Sequence, residues 1–230
     1  MQTDQHEDRA FFGRRKGHPL RPHQAALFAT LLPRLALDVG VPAPGDLRTL
    51  FPAQAEDVRI EIGFGGGEHL IAEALAAPHA GFIGCEPFVN GMAKALAAIE
   101  AKGLANVRLH HGDALPLLDW LPETSLGRVD LMYPDPWPKR RHWKRRFVQD
   151  DTVGRIARIL RPGGEFRFAT DWADYAAWAL ERLLRSPAFV WTAECADDWR
   201  EAWPGFSATR YEAKARREGR ASCYLTFRRI

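Results

Sequence analysis

Glycine stands at positions 63, 65 and 67 in Glu61-Ile-Gly63-Phe-Gly65-Gly66-Gly67-Glu68, directly after the strand-like run 58–62. Glycines so spaced let a chain turn sharply and bring its backbone against a ligand with no Cβ in the way. A dinucleotide-binding loop would need its third glycine at position 68. Glu68 stands there, and an acid beside a pyrophosphate is electrostatically unfavourable. Two more acids close the next strand-like runs: Glu86, and Asp113 in His111-Gly112-Asp113-Ala114. In doubly wound folds an acid at the end of the second strand accepts hydrogen bonds from ribose hydroxyls. Plainer roles are open to both, Glu86 as a turn residue and Asp113 as the N-cap of a following helix.

A third constellation is Tyr133-Pro-Asp135-Pro-Trp137-Pro-Lys139-Arg-Arg-His142-Trp143-Lys144-Arg145-Arg146. Three alternate prolines stiffen the chain immediately after a strand-like run. Ligands of open α/β sheets bind beyond the carboxyl ends of the strands, which would put Asp135 and Lys139 at a reaction centre. Six cations with Trp143 among them suit phosphate contacts and a stacking surface. Trp137 reads as packing under the loop, and His142 as a phosphate or loop contact.

The elements that must position these residues alternate. Strand-like runs at 58–62, 81–85, 106–112, 128–133 and 165–170 are separated by helix-like runs near 67–77, 89–102, 114–120 and 145–160, the last stopped by Pro162-Gly163-Gly164. A helix-like run at 174–185 and two final strands at 189–194 and 223–228 follow, and 22–39 is helix-like with Pro33 as an interruption. This alternation predicts an α/β fold, a doubly wound, mostly parallel sheet covered on both faces.

The net charge of +3 conceals a segregation. Segments 9–21, 139–146 and 210–220 hold 16 of the 32 basic residues and two of the 29 acids, a net +14 there against −11 elsewhere. Like charges so clustered repel one another; if the three segments meet in space, a polyanion is the compensating partner, and the plainer reading is three separate solvated loops. Composition is ordinary globular, with 46% hydrophobic residues, which argues against disorder. No apolar run reaches the ~18 residues of a membrane span, and the charged start of the chain lacks the apolar core of a secretory signal. Cys85, Cys195 and Cys223 are far apart and form no CxxC pair, so neither a disulfide framework nor a structural zinc site is expected. A reducing cytoplasm is the simplest location.

The run PDPWPKRRHWKRR is highly similar to the hallmark of the bacterial tRNA (guanine-N7-)-methyltransferases. EIGFGGGEHL resembles their S-adenosylmethionine (SAM) motif I, as in class I SAM methyltransferases generally; that likeness implies a Rossmann-like sheet with an antiparallel C-terminal strand. GCEPFVNGM resembles the ribose segment, GDA the adenine segment, and FATDWADYA a later substrate segment containing Asp171. Thr209-Arg210-Tyr211-Glu212 resembles the family's C-terminal T-[RK]-[FY]-E motif. Gly66 departs from the pattern, where a larger residue is usual.

The resemblance implies methyl transfer from SAM to N7 of a guanine in the tRNA variable loop, position 46 by tRNA convention. It implies that Glu61, Gly63, Gly65, Gly67, Glu86, Asp113 and Asp135 hold SAM. It assigns substrate contacts to Lys139, Asp171, Thr209, Arg210, Tyr211 and Glu212, and RNA contacts to Arg141, His142, Trp143, Lys144, Arg145 and Arg146. Asp135 is the nominal catalytic residue, and no metal is called for. Spacing alone would equally make Asp171 the N-cap of the 174–185 helix. The chain divides into a basic arm and helix, 1–40, and a methyltransferase domain, 41–230; monomer and homodimer both stay open. A small-molecule methyltransferase would have no use for the clustered charge, and a noncatalytic RNA-binding module would not need acids at successive strand ends.

Overall fold

The computed structural model describes Gly13 and residues 15–53, 55–207 and 210–230, with the backbone only of Tyr211. Seven strands form one sheet: β1 (Asp57–Ile62), β2 (Ala80–Cys85), β3 (Val107–His110), β4 (Leu126–Met132), β5 (Leu160–Thr170), β6 (Phe189–Trp191) and β7 (Cys223–Arg229). Their order is β3-β2-β1-β4-β5-β7-β6. The first five run parallel, and β7 is antiparallel to both β5 and β6. Strands β2 and β4 are buried at every position, as expected of strands covered on both faces.

Helices α1 (Pro22–Thr30), α2 (Leu32–Leu35), α3 (Glu68–Ala76) and α4 (Val89–Lys102) share one core, in which Leu27, Leu70, Phe82 and Leu96 meet. Helices α5 (Ala114–Trp120), α6 (Asp150–Ile159) and α7 (Ala173–Arg185) share another with Ile60, Val129, Phe166 and Phe168. Leu27 and Leu35 thus join the main body, although the sequence groups them with the N-terminal arm. Pro33 lies in the first turn of α2, where its missing N–H is not needed.

Several elements differ from expectation. The helix expected over 145–160 begins only at Asp150; residues Arg140–Arg145 form a 3-10 turn instead. The Gln149 N–H donates to Thr152 Oγ1 at 2.9 Å, and Asp150 and Asp151 occupy the first turn, so the start signal lies inside the apolar pattern. Pro162, Gly163 and Gly164, expected to stop that helix, lie within β5, which starts directly after α6 ends at Ile159. Two short helices, α8 (Asp197–Arg200) and α9 (Arg210–Arg217), were not foreseen. In α9, Ala215 is a buried apolar residue in an otherwise highly charged helix, so apolar periodicity is nearly silent there.

Candidate active site

Strands β1 and β4 are neighbours, and beyond them the strand order runs in opposite directions. Such a switch point opens a crevice at the carboxyl ends of the strands. The glycine loop leaves β1 there and the Pro-Asp-Pro loop leaves β4 there. Gly65 (φ +58°) and Gly67 (φ +82°) take left-handed conformations that a side chain would strain. A Cβ on Gly91 would lie 2.2 Å from the Gly65 carbonyl oxygen, so this helical glycine lets α4 pass against the loop. Gly91 was not picked out from the sequence; a glycine inside an apolar helix pattern was the available signal.

Glu86 is buried, and its carboxylate accepts from the Gly65 N–H at 2.5 Å and the Phe88 N–H at 2.8 Å. It therefore braces the glycine loop from the end of β2. Burial pushes its carboxyl above the usual range, against the pull of the two amides and of the positive charge of Arg210. That last influence brings the first residue of α9 into the field of the β2 end. Asp113 caps α5 by accepting from the Leu115 N–H at 3.1 Å. It also lines a cavity of about 310 Å³ with Arg15, Lys16, Pro87, Val89 and His111. The Val89 N–H donates to the Arg15 carbonyl at 3.0 Å, and Asn90 Nδ2 to that of His18 at 2.8 Å, so the N-terminal arm forms one wall. The arm's part in this cavity was not anticipated.

Glu61 is placed differently from the other acids. It is buried at the end of β1, and its Oε2 lies 2.9 Å from His69 Nδ1 in the first turn of α3. Burial disfavours the charged ring, but Glu61 outweighs it, with Asp130 and Glu73 adding to the effect, and His69 is raised to about 9.

Asp135 is exposed between two strained residues, Tyr133 (φ +51°) and Trp137 (φ +43°). The structure holds that strain at several points. The Tyr133 N–H extends the β4–β5 ladder to the Ala169 carbonyl at 2.8 Å, and its hydroxyl donates to Ser222 Oγ at 3.0 Å. Trp137 packs under the loop, with its ring 5.9 Å from that of His142 and the Arg145 guanidinium 5.0 Å from its centre. Asp135 itself has no hydrogen-bond or ion-pair partner among the described residues, and desolvation by the surrounding loop alone pushes its carboxyl upward. A carboxylate left open in this way is available to a ligand.

Lys139, Arg140, Arg141 and Lys144 are exposed on the basic turn, and His142, Trp143 and Arg145 are half-buried. Partial burial lowers the His142 pKa, and its cationic neighbours Arg145, Arg141 and Lys139 lower it further. The assignment of Arg146 to RNA contact is corrected: its side chain is completely buried. It donates to the Pro136 carbonyl at 2.9 Å, pairs with Asp174, and lies about 5 Å from the ring centres of Trp143, Tyr175 and Trp178. A charge run does not reveal which of its members turns inward.

Asp171 accepts from Arg220 Nε at 2.7 Å, and the N-cap of α7 is Trp172, so the alternative cap role falls away. Glu212 is buried, accepting from Tyr224 at 3.1 Å and Arg216 at 2.9 Å. Thr209 and the side chain of Tyr211 lie outside the described residues. Among the described residues no cluster of His, Cys, Asp and Glu could hold a metal, and no helix is long and apolar enough to cross a membrane.

This sheet order, with a glycine loop after β1 and acids at the ends of β1 and β2 and beyond β4, defines a class I SAM methyltransferase fold. A solved 16S rRNA methyltransferase, KamB, shares it with a TM-score of 0.56 at 17% identity, over 83% of this chain and 94% of that one. Residues 55–225 match the family model described as a putative methyltransferase. The chain is 64% identical over 220 residues to the tRNA (guanine-N(7)-)-methyltransferase of Nitrobacter hamburgensis, covering 96% of this chain and 86% of the relative. Its identity to that of Rhodopseudomonas palustris strain BisB5 is 63% over 230 residues, covering 100% and 90%. The chain belongs to the tRNA (guanine-N(7)-)-methyltransferase family.

Proposed function

We infer that this protein transfers a methyl group from SAM to N7 of a guanine in tRNA, and we propose position 46 of the variable loop as the target. The observation that carries the mechanism is the partnerless Asp135 carboxylate, held in a strained loop beside the crevice and next to an exposed basic turn.

The residues present fit SAM. A Cβ on Gly63 would meet nothing within 4 Å, so the β1 end faces open space. The cavity walled by Pro87, His111 and Asp113 has the volume for an adenine, and Glu86, the residue before Pro87, is proposed to take the ribose. The acids Glu61 and Glu86 suit a ligand that carries cations and no phosphate. Bound SAM supplies an electrophilic methyl group on a sulfonium.

Guanine N7 has a lone pair and no proton, so attack on that methyl needs no general base. The purine becomes cationic as the bond forms. Asp135, accepting from the N1–H and N2–H edge of guanine, would enrich N7 in electron density and stabilise the growing charge. Its effect is positional and electrostatic. Lys139, Asp171 and the Arg210–Glu212 segment are proposed to bound the guanine site. The exposed cations Arg141 and Lys144 are proposed to take phosphates. A cytoplasmic location is consistent with this substrate.

Incubation with methyl-labelled SAM and unmodified tRNA, followed by nucleoside mapping, tests the reading. 7-Methylguanosine at position 46 is expected; label on another base, or at another guanine, would refute the assignment or its position.

A further inference from the structure

The two ends of the glycine loop are pinned by one ion pair. Glu61 stands two residues before Gly63 and His69 two after Gly67, and their side chains meet at 2.9 Å with both residues about 3% exposed. A carboxylate that deep needs a cation, and the surrounding charges leave only one candidate. Arg128 on β4 donates from Nε to Asp130 at 2.8 Å and from its other end to Glu73 on α3. Arg59 on β1 turns to Asp57 at 3.2 Å and to Glu73 at 3.7 Å. Arg167 on β5 pairs with Glu165 at 2.9 Å. Asp130, in register with Glu61 across the β1–β4 ladder, adds a second negative charge beside it. Among the described residues His69 is therefore the one cation within ion-pair distance of Glu61. Its other nitrogen lies 4.0 Å from Glu73, and the Phe206 ring packs against the imidazole at 5.2 Å.

We propose that His69 is a positioning residue for the cofactor: it keeps Glu61 ionised and fixed at the mouth of the glycine loop, so that a negative charge faces the cationic groups of SAM. This rests on the reading that SAM binds in the crevice. Burial and Asp130 push the Glu61 carboxyl up, and the imidazolium is the strongest influence holding it down, so without it Glu61 takes up a proton more readily. Once neutral it presents no field to a cation, while the adenosine half of the site, built from Glu86, Asp113 and the cavity wall, is untouched.

The test is calorimetric titration of wild type and His69→Gln between pH 6 and 9, with SAM and with 5′-methylthioadenosine, a neutral analogue that carries the adenosine and sulfur but neither cation. For His69→Gln, SAM affinity should fall by about tenfold, the size of one charge-assisted contact. The loss should deepen toward pH 6 as Glu61 takes up a proton, while wild type changes little between pH 6 and 8, where the imidazolium persists. Methylthioadenosine affinity should match wild type. Equal loss of both ligands with no pH dependence, or no loss of either, would overturn the proposal. If His69→Gln does not fold, Glu61→Gln/His69→Gln removes the buried charges together; it should bind methylthioadenosine normally and SAM weakly, and wild-type SAM binding by it would overturn the proposal. A wild type that binds neither ligand would instead refute the assignment of the crevice to SAM.

Discussion

Arg146 donates from Nε to the carbonyl oxygen of Pro136 at 2.9 Å, so the last cation of the basic turn supports the loop that carries Asp135. The other end of the guanidinium reaches Asp174 on α7, and the rings of Trp143, Tyr175 and Trp178 surround it. The cations of this turn thus differ in direction, with Arg141 and Lys144 exposed and Arg146 buried.

That division predicts opposite phenotypes. Arg146→Ala removes a buried, hydrogen-bonded charge and should lower stability by about 3 kcal/mol. Thermal melting should report it, with little change in the salt dependence of tRNA binding. Arg141→Ala with Lys144→Ala should leave melting nearly unchanged and lower the log–log salt slope of tRNA binding by roughly 0.7–0.9 for each phosphate left without its cation. A flattened slope for Arg146→Ala alone would place its side chain on the RNA after all.

Glu86→Gln tests the strut under the glycine loop. The amide can accept from one of the Gly65 and Phe88 N–H groups but must turn its NH2 toward the other. SAM affinity should fall on the order of tenfold to a hundredfold, the worth of one charge-assisted bond. Binding of tRNA should hardly move, because phosphate contacts dominate it. Calorimetry with each ligand separates the two effects, and unchanged SAM affinity would remove Glu86 from the site.

The Glu61–His69 pair makes stability depend on pH. His69 is raised to about 9 in the fold, against ~6.5 in an unfolded chain. The folded state therefore holds a proton that the unfolded chain has released. The stabilisation is complete below pH ~6.5 and is lost as pH rises through about 9, with a slope of at most about 1.4 kcal/mol per pH unit for this one proton. Denaturant unfolding at pH 6.5 and 9 should show the decline in wild type and a weaker one in His69→Gln. Equal slopes would mean that His69 is neutral in the fold.

The strand ends were legible because each apolar run is followed at once by glycine, proline or an acid; the runs closing on Gly63, Glu86, Asp113 and Asp135 mark the site in order. What stayed hidden was side-chain direction and partnership across the fold. Glu61 and His69 lie on different elements, β1 and α3, with the glycine loop between them, so no single periodicity links the two. Arg146 carries the same charge as its neighbours, and only the aromatic wall from α7 draws it inward. The docking of Arg15 on Val89 joins residues 74 positions apart, with no local pattern to announce it. Helix α9 buries Glu212 and Ala215 in an otherwise charged stretch, too little for an apolar stripe.

Asp135 carries the central claim, and single-turnover methyl transfer to unmodified tRNA measures it most directly. Wild type and Asp135→Asn should be compared from pH 7 to 9, with the methylated nucleoside identified in each case. The Asn variant keeps the shape, loses the charge and turns part of an acceptor edge into a donor facing guanine N1–H and N2–H. Its rate should fall by ~100-fold, the usual loss for one electrostatic contact in a catalytic site. Affinity for tRNA should change far less. The wild-type rate should stay level over this range, since no proton is abstracted, and the product should be 7-methylguanosine. A near-wild-type rate for Asp135→Asn, or a rate climbing with pH as a general base would require, would contradict the account.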